Sequence, residues 1–273
     1  MVWQAIGASV QGTSHIRAGI PCQDAHGHRI LGHCAIAAVA DGLGSASKAA
    51  EAAKQVVEVA MDTLAKSLVN ALPSDADGWI KTMREVFAYV RQALEQTALS
   101  DALPLRDYGT TLIVTVVTQD WLAVGHIGDG AVVALFADDT LSLVSSPQRG
   151  EYANETIPLT APDALTLAHF SVFQSPVKAV ALLTDGLQNL SLNLAAGTPF
   201  APFFAPFFEV ITQTLDSAEA SRQLAEFLGS ERVCARTDDD KTLVVVGKGF
   251  AYWDGSLHTV IEPVQQKTDP DGD

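Results

Sequence analysis

Residues 35–45 read Ala35-Ile36-Ala37-Ala38-Val39-Ala40-Asp41-Gly42-Leu43-Gly44-Ser45, an apolar run that breaks at an acid and two glycines. The run is short and rich in Ala, Val and Ile, as in a strand buried on both faces, and it leaves a carboxylate at the strand tip. The glycines let the chain turn tightly with its backbone close to a ligand. The same grammar recurs at Val177-Lys178-Ala179-Val180-Ala181-Leu182-Leu183-Thr184-Asp185-Gly186 and at Gly125-His126-Ile127-Gly128-Asp129-Gly130. One Asp-Gly is commonly just a turn. Three such corners, with Asp238-Asp239-Asp240 just before another strand, predict several carboxylates at one sheet edge and hence a binuclear metal site.

The totals agree with a compact globular protein: 273 residues, 48% hydrophobic and only 18% charged. A net charge of −15 argues against a nucleic-acid partner, because phosphate binding is normally driven by clustered Lys and Arg. It also means that an anionic substrate needs bound cations. Cys22, Cys34 and Cys234 are odd in number and widely spaced, the pattern of reduced thiols. The first residues lack the basic and apolar segments of a secretory signal, and no apolar run reaches membrane-spanning length. The expectation is a cytoplasmic protein without a membrane partner.

Around the central run, residues 3–9 suit an edge strand and residues 11–25 a polar loop leading to Asp24. After Ser45 the period changes. Ala49, Ala53, Val56, Ala60, Leu64 and Leu68 mark one face of a helix, with Ser45 or Ser47 as its N-cap and Glu51 in its first turn. A second helix carries Ile80, Met83, Phe87, Val90, Leu94 and Ala98 and should lie antiparallel to the first. Strand-like runs follow at 110–118, 121–127, 131–136 and 141–144, joined by hairpin-length turns. The polar stretch 147–156 reads as a flap, 177–184 as a strand, 217–229 as a helix and 242–247 as the strand closing the sheet. The duplication Ala201-Pro202-Phe203-Phe204-Ala205-Pro206-Phe207-Phe208 is read as a helix start packing aromatics into the core, in preference to a partner-docking patch. Residues 250–261 read as an extra hairpin and 263–273 as an acidic flexible tail, which leaves one domain over residues 1–262. This order predicts an α+β fold, a four-layer αββα sandwich of two antiparallel sheets flanked by helix pairs.

Carboxylates, carbonyls and water suit Mg²⁺ or Mn²⁺, and none of the seven histidines forms a zinc-like pair on a helix. Two hard cations about 3.5–4 Å apart can activate a shared water and clamp a phosphoryl oxygen. Six stretches then occur in one order: Gln23-Asp24-Ala25, Val39-Ala40-Asp41-Gly42-Leu43-Gly44, Tyr108-Gly109-Thr110-Thr111, Gly125-His126-Ile127-Gly128-Asp129, Leu183-Thr184-Asp185-Gly186 and Asp239-Asp240-Lys241-Thr242-Leu243-Val244-Val245. Together they resemble the metal-dependent type 2C serine/threonine protein phosphatases across nearly the whole chain. Ser14-His15 and Pro21-Cys22-Gln23-Asp24 are most similar to a bacterial branch.

The resemblance implies hydrolysis of phosphoserine and phosphothreonine on proteins by a water that Mn²⁺ or Mg²⁺ activates, with two or three ions. It implies a phosphorylated protein partner, a Ser/Thr kinase or its target. Asp41 would bridge two ions, the Gly42 carbonyl would join one, Asp185 and Asp239 would hold the other, and Asp129 with Asp185 a third. Asp24 would orient the metal's water, and Thr110 and Thr111 would be structural. The chain departs from the pattern in three places. Gly19 stands where the family has a phosphate-binding Arg, leaving His15, Arg17 or Arg149 to take that role. Leu43 stands where animal-type members have a proton-donating His. Asp240 replaces an Asn and would add negative charge beside the metals. The alternatives are a weakly active or inactive phosphatase-like sensor and, behind it, a two-metal hydrolase of small phosphate esters.

Overall fold

The computed structural model describes residues 2–69, 71–148, 156–214 and 216–249. The first half comprises β1 (Val2–Val10), α1 (Thr13–Ala18), β2 (Asp24–Ile30), β3 (Ala35–Asp41), α2 (Ala49–Leu68), α3 (Ala76–Ser100), β4 (Leu112–Val117) and β5 (Leu122–Ile127). Then come β6 (Ala131–Phe136), β7 (Leu141–Ser145), α4 (Ala164–Leu167), β8 (His169–Phe173), β9 (Val177–Leu183) and α5 (Gln188–Ser191). The chain continues through β10 (Leu192–Asn193), β11 (Thr198–Pro199), α6 (Ala201–Gln213), α7 (Ser217–Leu228), α8 (Glu231–Cys234) and β12 (Lys241–Gly249).

Among the described residues, two five-stranded antiparallel sheets form in the orders β1-β12-β9-β6-β7 and β2-β3-β4-β5-β8. Side chains alternate across a strand, and β3 uses both faces. Ala35, Ala37 and Val39 enter the layer between the sheets, while Ile36, Ala38 and Ala40 face the helices on the other side. In β12, Val244 and Val246 join the inter-sheet layer and Leu243 and Val245 the cluster that includes α6 and α7. Three apolar layers thus separate helix pair, sheet, sheet and helix pair: the four-layer sandwich.

The 3.6-residue period lays the expected residues of α2 against the sheet, and all six are buried. Gln55 in α2 donates to the Thr97 hydroxyl near the end of α3 at 2.7 Å, as antiparallel neighbours do. On α3, Trp79 rather than Ile80 fills the first core position. Phe203, Phe204 and Phe208 of α6 are buried, and Phe207 is half-buried. No helix among the described residues is long and apolar enough to cross a membrane.

Two local expectations are corrected. Residues 11–25 are not one loop: they contain α1, and Asp24 opens β2. β2, Asp-Ala-His-Gly-His-Arg-Ile, is a strand because β3 pairs with it along its length, and Gly27 lets Val57 of α2 come close. Neither Ser45 nor Ser47 caps α2, which starts after Lys48 without a side-chain cap. Ser47 instead donates to the Asp107 carboxylate at 3.0 Å, and the Asp107 carbonyl accepts the Lys48 N–H, so the loop is tied sideways. The hairpin at 250–261, the tail at 263–273, and Arg149 with most of the polar loop 147–156 lie outside the described residues.

Candidate active site

β3 ends on Asp41, while Asp129 and Asp185 each lie two residues past the end of β5 and β9. Two of these strands belong to one sheet and the third to the other, so the sandwich brings the three corners together at one end. Asp41, Asp129 and Asp185 each offer a carboxylate oxygen, all within 4.8 Å of one another, and all three residues are half-buried. The corner glycines are also places where other backbone segments lie close. A Cβ on Gly42 would stand 2.4 Å from the Ala49 carbonyl oxygen, and one on Gly186 would stand 1.9 Å from that of Asp240. A side chain at either place would push apart the loops that carry the acids.

These groups line a cavity of about 350 Å³ together with Ser14, His15, Gln23, Asp238 and Asp239. Five aspartates face it, and among the described residues no lysine or arginine does. Asp239 is therefore at the cavity wall, outside the tight trio of Asp41, Asp129 and Asp185.

The backbone around each corner is fixed by side chains. Thr111 accepts the Asp41 N–H through its hydroxyl at 2.9 Å, while its own N–H and the Thr110 hydroxyl both donate to the Asp41 carbonyl. Both threonines are structural in this sense. Gln148 brackets the second corner, accepting the Gly128 N–H at 3.1 Å and donating to the His126 carbonyl at 3.2 Å. Thr156 donates to the Asp129 carboxylate. Lys241, fully buried, donates to the Asp239 carbonyl at 3.0 Å.

Asp24 sits behind the cavity, opposite Asp41 in the β2–β3 ladder. Its Oδ2 accepts from the hydroxyls of Thr184 at 2.7 Å and Thr242 at 2.8 Å, whereas its buried Oδ1 has no hydrogen-bond partner among the described residues. Burial pushes Asp24 up to about 8, outweighing the two hydroxyls that favour the ionised form, and the charges of Asp240 and Asp185 act in the same direction. Burial, then Asp24 and Asp185, pushes Asp41 well above the usual carboxylate range. Asp185 is pushed up to about 6 by burial and by the charges of Asp129 and Asp239. Like charges gathered in a low dielectric without a counter-charge are the situation that a bound cation reverses. An all-oxygen donor set fits Mn²⁺ or Mg²⁺.

The remaining sequence-derived candidates divide. His15 lines the cavity, and its Nδ1 meets Asp240 Oδ2 at 3.0 Å. Arg17 is exposed and donates to Asp238 at 3.3 Å, and it does not line the cavity. Asp240 is buried, with its carboxylate turned to the N–H groups of Gly12 at 2.6 Å and Gln23 at 2.5 Å and to His15. Its charge acts on Asp24, and its carboxylate also pins α1 and the approach to β2. Sequence reasoning missed Thr184, Thr242, Gln148 and Lys241. Thr184 directly follows an apolar run, which is a signal that could have found it; Gln148 and Thr242 stand among polar residues and give none.

A profile described as protein phosphatase 2C matches residues 11–229. The chain belongs to that family. It is 34% identical over 257 residues to serine/threonine-protein phosphatase 3 of Escherichia coli (strain K12), covering 90% of this chain and 98% of that one. Among solved structures, the serine/threonine phosphatase PstP/Ppp of Mycobacterium tuberculosis has a TM-score of 0.61 at 16% identity, covering 92% of this chain and 100% of that one. The catalytic domain of PstP in complex with two manganese ions has a TM-score of 0.60 at 18% identity, covering 90% and 98%. This phosphatase 2C chain thus shares the fold of those structures.

Proposed function

We propose that the chain hydrolyses phosphoserine and phosphothreonine on proteins, and that Mn²⁺ or Mg²⁺ held by Asp41, Asp185, Asp239, Asp129 and the Gly42 carbonyl is required. The observation that carries this reading is the convergence of Asp41, Asp129 and Asp185 oxygens within 4.8 Å in a cavity faced by five aspartates. Among the described residues the charged side chains that line it are aspartates, so a bound cation would serve phosphate binding as well as chemistry. The family membership and the manganese complex of PstP support the same choice of metal.

When bound, the cations lower the pKa of a water and offset charge on the phosphoryl oxygens. The chain contributes position. The corners at Asp41, Asp129 and Asp185 are fixed by the threonine and glutamine contacts described above, so the carboxylates need little reorganisation on loading. Asp24 stands behind Asp41 as a buried acid with one oxygen unpartnered among the described residues, suited to accept a hydrogen bond from an ordered water. His15 Nδ1 is engaged by Asp240, which leaves Nε2 as the ring nitrogen for a phosphoryl oxygen. Arg17 is a poorer candidate for that contact because its guanidinium is held outside by Asp238.

Hydrolysis of phosphothreonine and phosphoserine peptides, with Mn²⁺ and with chelator, tests this reading. Asp41→Asn should lose more than the about 10–100-fold typical of changes outside the ligand shell. Full turnover in chelator, or by Asp41→Asn, would sink the metal assignment. A phosphotyrosine peptide hydrolysed faster than both others would sink the substrate class.

A further inference from the structure

A second hollow, an apolar cleft of about 1030 Å³, lies on the outer side of the β1-containing sheet and is walled by α6 and α7. Phe203, Phe207 and Val210 of α6 face Leu224 and Phe227 of α7 across it. Its rim leaves Leu194, Phe200 and Val210 between 39% and 52% exposed, an unusual amount of large apolar surface in one place. Its charges are equally unusual. Among the described residues the charged ones lining it are Arg232 and Arg236, with no acid, in a chain with 32 acids against 17 bases. Among the described residues neither arginine has an ion pair or a side-chain hydrogen bond.

We infer that this cleft is the docking site of the chain's own C-terminal segment, residues 250–273, with the apolar part 250–261 against α6 and the acids against Arg232 and Arg236. Three observations select this occupant. The first is where the described chain stops. β12 ends at Gly249, and its Gly247 lies so close to α6 that a Cβ there would be 2.5 Å from Ile211 Cγ2. The chain therefore leaves the sheet beside the helix that walls the cleft. A 13-residue helix is about 20 Å long, which about six extended residues cover, so 24 residues are ample.

The second is composition. Phe250, Tyr252, Trp253, Leu257, Val260 and Ile261 concentrate six large apolar side chains in twelve residues, more than a solvated tail would carry. The third is charge. The segment has five acids, Asp254, Glu262, Asp269, Asp271 and Asp273, against one lysine, Lys267, opposite in sign to the cleft. Tethering adds an effective concentration in the millimolar range for a short flexible connection, which a separate phosphoprotein or a second copy does not have. This inference is independent of the activity proposed above.

Hydrogen–deuterium exchange on the full-length chain tests it. Amides in 250–261 should exchange about tenfold or more slowly than an unstructured peptide. The variant Arg232→Glu/Arg236→Glu and, separately, Val210→Asp should remove that protection and speed exchange in α6 and α7. All three positions are exposed, and an unchanged far-ultraviolet spectrum and melting transition will show that the fold persists. Unprotected amides in the wild-type tail would overturn the inference, as would protection that survives both variants. Protection that grows with protein concentration would also overturn it, since the cleft would then hold a second copy's segment.

Discussion

Asp24→Asn isolates the electrostatic cost built into the acidic corner. Asp24 is 8% exposed and its pKa stands at about 8 against an ordinary 3.8. Between those values the folded, metal-free chain holds a proton that the unfolded chain has released. The unfolded state then binds fewer protons, so stability falls as pH rises, by about 1.4 kcal/mol per pH unit for one full proton. The contribution is fully present below pH 3.8 and is lost progressively until the pH passes about 8. Asn keeps an oxygen to accept from Thr184 and Thr242 and cannot ionise. From pH 5 to 7 the wild type should therefore lose about 2.7 kcal/mol relative to the variant. In a chain of this size that is about 5–10 °C of melting temperature. Melting curves in chelator at pH 5, 6 and 7 would read it, with the variant equal to or slightly below wild type at pH 5 and above it at pH 7. Parallel pH profiles for the two proteins would refute the reasoning, because Asp24 would then ionise as it does in the unfolded chain.

Three further perturbations read other parts of the site. Gly186→Ala drives a Cβ into the Asp240 carbonyl and separates the Asp185 and Asp239 loops. It should cost about 3 kcal/mol in chemical denaturation and abolish phosphopeptide turnover, and a folded, fully active variant would count against the packed corner. Asp240→Ala strands the N–H groups of Gly12 and Gln23. A loss of about 2–5 kcal/mol is expected, larger than for Asp238→Ala, whose exposed pair with Arg17 contributes at most about 1 kcal/mol. Equal effects of the two alanines would be incompatible with the buried role of Asp240. Gln148→Ala removes both contacts that bracket Gly128. Calorimetry should show weaker Mn²⁺ binding, with the loss concentrated in whichever ion uses Asp129, and unchanged binding would show that the corner holds itself.

What the sequence discloses and what it conceals have physical causes. β3, and β9 from Ala179 on, are legible because burial on both faces demands an apolar run, so the end of each run stands out, with an Asp-Gly corner at it or one residue past it. α2 is legible because its partner is a flat sheet, which selects one face at a 3.6-residue period. β2 is concealed by the reverse situation. Its His26 is held neutral, down to about 4 chiefly by burial, and its Nδ1 pairs with Ser9 at 2.8 Å, so a residue that looks solvent-facing lies half-buried against β1, while His28 and Arg29 are exposed. Asp240 is concealed by distance, because the N–H groups that give its carboxylate a purpose lie 228 and 217 positions away. From sequence it reads as one of three consecutive acids, and each in fact serves a different end. Asp238 lines the cavity and pairs with Arg17 at its surface, Asp239 lines the cavity through a loop that Lys241 anchors, and Asp240 closes a buried clasp on the N-terminal segment. The spacing of such a run shows that charge is present but not which way each side chain turns. That depends on β12 beginning one residue later, at Lys241, whose buried ammonium anchors the Asp239 carbonyl and thereby sets the direction of the acids before it.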